Sequence, residues 1–218
     1  MSSFAGEKLE CVRGERAVFS ALDFTVEDGG ALQLIGPNGS GKSSLLRLMA
    51  SLIKPTAGRI SWNGGNVADE PEAHRARLHY IGHLDGIQPL LTVAENLRFW
   101  AGLRPEGLNS NPGDATTEAL DGFGLKALAN IPCRFLSAGQ CRRLALARLL
   151  AAPAALWLLD EPTTALDDDG VCAFHDAVRR HRAKGGVVVL ASHGTETIED
   201  ARTLDLRAHG GIAVNRLV

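Results

Sequence analysis

The segment Gly36-Pro37-Asn38-Gly39-Ser40-Gly41-Lys42-Ser43 constrains this chain more than any other stretch. Glycine, four residues, then Gly-Lys-Ser is a spacing that wraps backbone amides around phosphate oxygens, and it requires a strand before it and a helix after it. Both are legible. Ala31 to Ile35 is a mostly apolar run behind a turn at Asp28-Gly29-Gly30, and beyond the loop Leu45, Leu48, Met49 and Leu52 recur at i, i+3, i+4 and i+7, which predicts one buried helical face ending before Pro55 and Gly58. The glycines let the main chain approach an anion closely, and the helix after Gly41 aims its positive dipole end at the same charge. In this reading Lys42 reaches the β- and γ-phosphates, Ser43 ligates magnesium, and Ser44 completes the nucleotide-binding set.

The rest of the chain continues the alternation of strands and helices. Upstream, Ala17 to Phe19 and then Leu22, Phe24 and Val26 read as short strands. Downstream come a hairpin around Ile60-Ser61-Trp62 and Asn63-Gly64-Gly65, a polar stretch, and a strand near Leu78 to Gly82. Thr92-Val93-Ala94-Glu95 has capping-box spacing and opens a helix to about Ala101; residues 104–113 read as a loop and 114–129 as a helix. A helix at about 138–151, a strand at Leu156 to Asp160, a helix at about 168–183 and a strand at Val187 to Ser192 follow, then a short helix and closing strands. Such alternation predicts a parallel sheet covered by helices.

Composition bounds the partners. With 218 residues, 45% hydrophobic and 22% charged, the chain has material for one core and is neither disordered nor fibrous. Its longest apolar stretch without a charge, Leu149 to Leu159, contains Pro153 and is shorter than the roughly 18 residues of a membrane span. The start, MSSFAGEKLE, carries charges where a secretory signal has its apolar segment, so a cytosolic location is expected. A net charge of −2 offers no case for nucleic acid as the main partner. The cysteines Cys11, Cys133, Cys141 and Cys172 form no C-x-x-C pair and no zinc spacing, which fits ordinary packing in a reducing compartment.

A second anchor is the apolar run Ala155 to Leu159 ending abruptly in Asp160 and Glu161. A carboxylate there can hold magnesium through water, and the next can polarise an attacking water. Leu136-Ser137-Ala138-Gly139-Gln140 narrows the choice among nucleotide-hydrolysing proteins: it resembles the LSGGQ signature of ATP-binding-cassette ATPases, with Ser137 and Gln140 at capping-box spacing. Thr164-Ala165-Leu166-Asp167 looks like that family's D-loop, and His193, after the strand, looks like its switch histidine. The resemblance covers residues 9 to 193 and implies an α/β fold: a P-loop NTPase cassette with a mostly parallel core sheet, an N-terminal antiparallel β subdomain, and a helical lobe at about 84–150 inserted in a RecA-like core, all in one domain, 1–218. It also implies that two copies sandwich two Mg-ATP head to tail, each signature and its Asp167 facing the γ-phosphate held by the other copy, with Glu161 and His193 catalytic.

Two positions depart from the family pattern. Most cassettes carry a magnesium-sensing glutamine where this chain has His83, and an adenine-stacking aromatic where it has Arg13. An imidazole can ligate the metal or hold water, although a substitution without a ligand role remains an alternative. A guanidinium can stack on adenine, with Val18 as a flanking wall. The departures carry information, because C-x-R-x-x-R-x-V-F over Cys11 to Phe19, G-H-x-x-G-I over Gly82 to Ile87, and L-T-V-A-E-N over Leu91 to Asn96 look like the ATPases of cytochrome c maturation, the haem exporter family. That resemblance implies a place on the cytoplasmic face of the membrane, with the permease CcmB and the haem-handling protein CcmC as partners, and either haem export or release of a haem-loaded chaperone as outcome. No direct haem site is expected, since no C-x-x-C-H is present. A different small-molecule exporter, a soluble cassette ATPase, a P-loop kinase and a nucleotide-gated module of negligible turnover are the alternatives.

Overall fold

The structure, a computed structural model, describes residues 2–103, 112–152, 154–192 and 197–210. Two sheets organise it. The first is antiparallel, in the order β2-β1-β4-β5, where β1 is Ser3–Arg13, β2 Arg16–Glu27, β4 Ala57–Trp62 and β5 Gly65–Asn66. The second is wholly parallel, in the order β6-β7-β8-β3-β9, built from β6 Leu78–Ile81, β7 Leu156–Asp160, β8 Val187–Ala191, β3 Ala31–Ile35 and β9 Arg202–Asp205. The helices are α1 Lys42–Met49, α2 Pro71–Ala76, α3 Val93–Gly102, α4 Pro112–Gly122, α5 Ala138–Ala151 and α6 Asp168–Ala183; α3 to α5 lie between β6 and β7 in the chain.

The central strands β7, β8 and β3 are buried on both faces, so they are nearly continuous apolar runs sorted by period two. Trp157, Leu159, Val188 and Leu190 face the core shared with α3 to α6, while Leu156, Leu158, Val187 and Val189 face the core shared with α1 and the antiparallel sheet. No helix among the described residues is long and apolar enough to cross a membrane.

Three expectations are corrected. The short strands at Ala17 to Phe19 and Leu22 to Val26 are one strand, and β1 beside it is not legible as a strand at all. The cause is the register: the pairing slips between Gly6 and Leu9 and again between Leu9 and Cys11, with Lys8 at φ 47° and Ala21 at φ 49°. The first slip puts an extra residue into β1 and shifts its alternation by one, so Phe4 and Gly6 before it and Leu9 and Cys11 after it are all buried although the spacing across it breaks period two; the second puts the extra residue into β2, between Leu22 and Phe19. The α1 face, secondly, does not extend to Leu52, which is 55% exposed. Ser51 turns left-handed at φ 53°, its N–H bonds the Leu48 carbonyl, and the Leu52 N–H bonds the Arg47 carbonyl, a Schellman closure that swings Leu52 outward. Thirdly, the helix expected at 114–129 ends at Gly122; Gly124 at φ 66° precedes a separate 3₁₀ turn at Lys126–Leu128.

One packing detail makes folding pH-sensitive. The His181 imidazole lies flat on the Trp157 indole, with ring centroids 3.9 Å apart and 6° between planes, and burial lowers its pKa from 6.5 to about 4. An unfolded chain takes up this proton near pH 6.5, whereas the folded chain resists until about 4. The folded state therefore keeps its full stability above pH 6.5 and loses it as pH falls through that window, by up to about 3 kcal/mol. Urea unfolding at pH 7 and pH 5 should show this slope, and His181→Phe, which keeps a ring on Trp157 but takes up no proton, should remove most of it.

Candidate nucleotide site

The strand order brings the sequence-predicted groups to one rim. β8 lies between β7 and β3, so the carboxylates ending β7, the chain leaving β8 at Ser192, and the loop leaving β3 stand at the carboxyl ends of adjacent strands. Adjacent strands are about 4.8 Å apart, which puts roughly 10 Å between the end of β7 and the phosphate loop, room for phosphates and an ion with its water. β6 flanks β7 on the other side, in register Ile81 with Leu159, so His83 leaves the sheet as an exposed residue on the outer side of Asp160.

The loop is shaped for an anion. Gly36 has φ 145°, and a Cβ there would lie 2.7 Å from the Ser40 hydroxyl; Gly41 has φ 103°, and a Cβ there would lie 2.5 Å from Val18 Cγ1. Neither position admits a side chain. Lys42 is 6% exposed, and its ammonium donates to the Gly36 carbonyl at 2.7 Å and the Pro37 carbonyl at 3.2 Å. Among the described residues it has no carboxylate partner. The Ser40 hydroxyl is buried without a hydrogen-bond partner among the described residues, and α1 has Gly41 as its N-cap, with no side-chain cap and no acid in its first turn. A buried cation, an orphaned hydroxyl and an uncapped helix start fit a polyphosphate. Pro37, Asn38 and Gly39 are exposed above them, and Ser43 and Ser44 occupy the first turn of α1.

Opposite the loop, Asp160 is 2% exposed at the end of β7, and Glu161 follows in a left-handed conformation at φ 49° with its N–H bonded to the Ala191 carbonyl at 3.0 Å. A non-glycine residue held there is strained, a condition found disproportionately at functional turns. Ser192 is fastened by its N–H to the Leu34 carbonyl and by its hydroxyl, which accepts from Gln33 Nε2 at 2.7 Å. His193 lies outside the described residues.

The signature segment is a capped helix start as expected. The Ser137 hydroxyl accepts from the Gln140 N–H at 3.2 Å, and the Gln140 side chain accepts from the Ser137 N–H at 2.9 Å. The Thr92 and Glu95 pair does the same for α3, which holds the Glu95 carboxyl below its ordinary range. Ser137, Gly139 and Gln140 share a cavity of about 480 Å³ with Arg143, Ala165 and Asp167. Gly139 is required because a Cβ would lie 2.9 Å from the Ala165 carbonyl oxygen. Asp167 caps α6 through the Gly170 N–H and pairs with Arg143, which together hold its carboxyl below the ordinary range. Leu136 is packed against the core behind the signature.

Of the two departures, His83 is exposed on the loop after β6 and Arg13 is exposed at the tip of the β1–β2 hairpin, while Val18 packs on Gly41. Sequence reasoning missed Gln33, Asn96, Asp85 and Arg142. Gln33 had a signal, a polar residue inside an apolar strand. Asn96, 1% exposed, ties the Gln88 N–H and carbonyl to the Cys133 sulfur. His79 is a core histidine bonded to the Ala152 carbonyl.

The ABC transporter family matches residues 19–164. The chain is 55% identical over 205 residues, 94% of each chain, to the cytochrome c biogenesis ATP-binding export protein CcmA of Paramagnetospirillum magneticum. It is 56% identical to the protein of that name in Rhodospirillum rubrum, over 93% of this chain and 85% of that one. Its fold matches a solved dimeric ATP-binding cassette in a post-hydrolysis state bound to ADP and Pi, with a TM-score of 0.81 and 25% identity over 93% of both chains. With the strand-loop-helix, the paired acids and the capped signature helix in place, the chain belongs to the ABC transporter family of ATP-hydrolysing cassettes, among relatives named cytochrome c biogenesis ATP-binding export proteins.

Proposed function

We propose that this chain is the ATP-hydrolysing subunit of a membrane complex for cytochrome c biogenesis, and that all 218 residues form one cassette whose helical lobe spans about 84–150. One observation carries the reading: the buried Lys42 ammonium, held among the described residues by the Gly36 and Pro37 carbonyls and by no carboxylate, faces the same rim as Asp160 and Glu161. The loop from Gly36 to Ser44, through its free backbone N–H groups (Pro37 has none), and the Lys42 ammonium hold the β- and γ-phosphates. Val18 and Arg13 hold the base. Ser43 and Asp160, with His83 as a further donor, are the residues that would hold magnesium, and the ion would neutralise phosphate charge. Glu161 orients the attacking water and takes its proton as oxygen adds to the γ-phosphorus and the bond to the β-phosphate oxygen breaks. His193 contacts the γ-phosphate. Leu136 to Gln140 and Asp167 of a second copy complete the site, so turnover requires a dimer.

The output is the closing motion, passed through the segment from His83 to Glu95, whose first half up to Leu90 is largely exposed, to a membrane permease of the CcmB type working with CcmC, at the cytoplasmic face. Leu84 and Leu90 present apolar side chains to solvent on that segment, as a peripheral contact needs. The test is purification from membranes with ATPase measured with and without the co-purifying proteins. A permease that changes the rate supports the assignment, and recovery of the chain alone overturns it. Base recognition has its own measurement. Arg13→Ala is expected to weaken ATP binding about 2- to 5-fold, the value of an exposed cation on an aromatic face. Unchanged ATP and GTP affinities would remove Arg13 from the site.

A further inference from the structure

Arg142 stands just past the signature on α5 and is 5% exposed. Its guanidinium has five N–H groups, and each of its three nitrogens is engaged. Nε donates to the Pro162 carbonyl at 2.9 Å; Nη2 donates to the carbonyls of Asp160 at 2.8 Å and Glu161 at 2.7 Å. Nη1 donates to the Gly82 carbonyl at 3.1 Å and to the Asp85 carboxylate at 2.9 Å. Three consecutive carbonyls around the strained Glu161 and two acceptors on the loop leaving β6 therefore share one rigid plane.

The acceptors matter more than their number. A residue at φ 49° is held by its surroundings, and the direction of its carbonyl, together with those of its neighbours, sets where its side chain points. Arg142 grips all three of those carbonyls. Its orientation is in turn set by Asp85, whose side chain is 27% exposed and whose own carbonyl is bonded by Arg148 at 3.0 Å. The same loop is anchored to α3 by the Trp100 indole N–H on the Gly86 carbonyl at 3.2 Å. A lysine offers a point charge and cannot serve acceptors spread around a planar fork.

We propose that Arg142 is a positioning residue for Glu161, aligned by Asp85, so that the loop after β6 and the water-activating carboxylate move as one unit. This deepens the function proposed above and rests on Glu161 being the group that acts on water. In the full-length dimer, with the membrane partner where turnover needs it, Arg142→Lys is expected to lower kcat at least 10-fold and to change the Kd for ATP less than 2-fold. Asp85→Asn, which keeps the shape and removes the charge, is expected to lower kcat about 3- to 10-fold with the same unchanged Kd. Single-turnover hydrolysis of labelled ATP supplies the readout that a purely structural arginine would not move. In the Glu161→Gln background Arg142→Lys is expected to cost less than 2-fold more, because residues acting as a unit are not additive.

Equal factors in both backgrounds, or an unchanged kcat, overturn the proposal. Should Arg142→Lys not fold, Asp85→Asn is carried through the same cycle with the same criterion. If Glu161→Gln alone leaves hydrolysis unchanged, the catalytic assignment of Glu161 has failed instead, and the proposal falls with it.

Discussion

Glu161→Gln is expected to lower ATP turnover by about 10²- to 10⁴-fold, the usual contribution of a positioned general base, while leaving ATP binding intact. Glutamine keeps the length and the hydrogen-bonding oxygen but accepts no proton at neutral pH. The substitution leaves the Glu161 main chain in place, with its N–H on the Ala191 carbonyl and its own carbonyl on Arg142. The defect should therefore appear in kcat and not in affinity. An ATP-bound dimer that no longer reopens should accumulate, measured as a doubling of mass by light scattering with Mg-ATP and not with Mg-ADP. Normal turnover, or no ATP-dependent dimer, would show that another group activates water.

The second large effect is expected at Lys42. Lys42→Ala removes a cation that is already desolvated and aimed across the phosphate loop by the Gly36 and Pro37 carbonyls. A charge-assisted contact of this kind is worth about 1.5–3 kcal/mol, so ATP affinity should fall roughly 10- to 100-fold. Hydrolysis should fall further, because charge grows on the phosphoryl oxygens in the transition state. Equilibrium binding and saturating-ATP rates separate the two losses. The melting temperature without nucleotide should change little, since among the described residues the Lys42 ammonium bonds only carbonyls of its own loop. Equal affinity for ATP in both proteins would remove Lys42 from the phosphate site.

Several functional groups are legible in the sequence because their signal is local. The phosphate loop needs glycines where φ is positive or a Cβ has no room, and Gly36 and Gly41 prove to be such places. Capping boxes are written in four residues, and those at Thr92 and Ser137 form as their spacing predicts. Signals that depend on phase were lost. β1 was hidden because its bulge breaks period two, and the α1 face was overextended because a left-handed serine, rather than a glycine, ends the helix. Arg142 was passed over because a buried arginine in a helix is recognisable only through its acceptors, and those come from the loop after β6 and the end of β7.

The amino-acid sequence by itself determined the chemistry. A Gly-Lys-Ser loop after a strand, a strand ending in two acids and a capped signature helix each admit few geometries, because backbone sterics and local hydrogen bonds decide them within a few residues. Only the tertiary structure decided who stands beside whom. Leu156 to Leu159 and Val187 to Leu190 are both short apolar runs, and nothing local in either says that the second inserts between the first and β3. Parallel strands are joined by long crossovers, so their lateral order is settled by how the two cores pack on the faces of the sheet. That order, β6-β7-β8-β3-β9, places Lys42, Asp160 and Glu161 around one phosphate-sized gap and leaves His83 on its outer side.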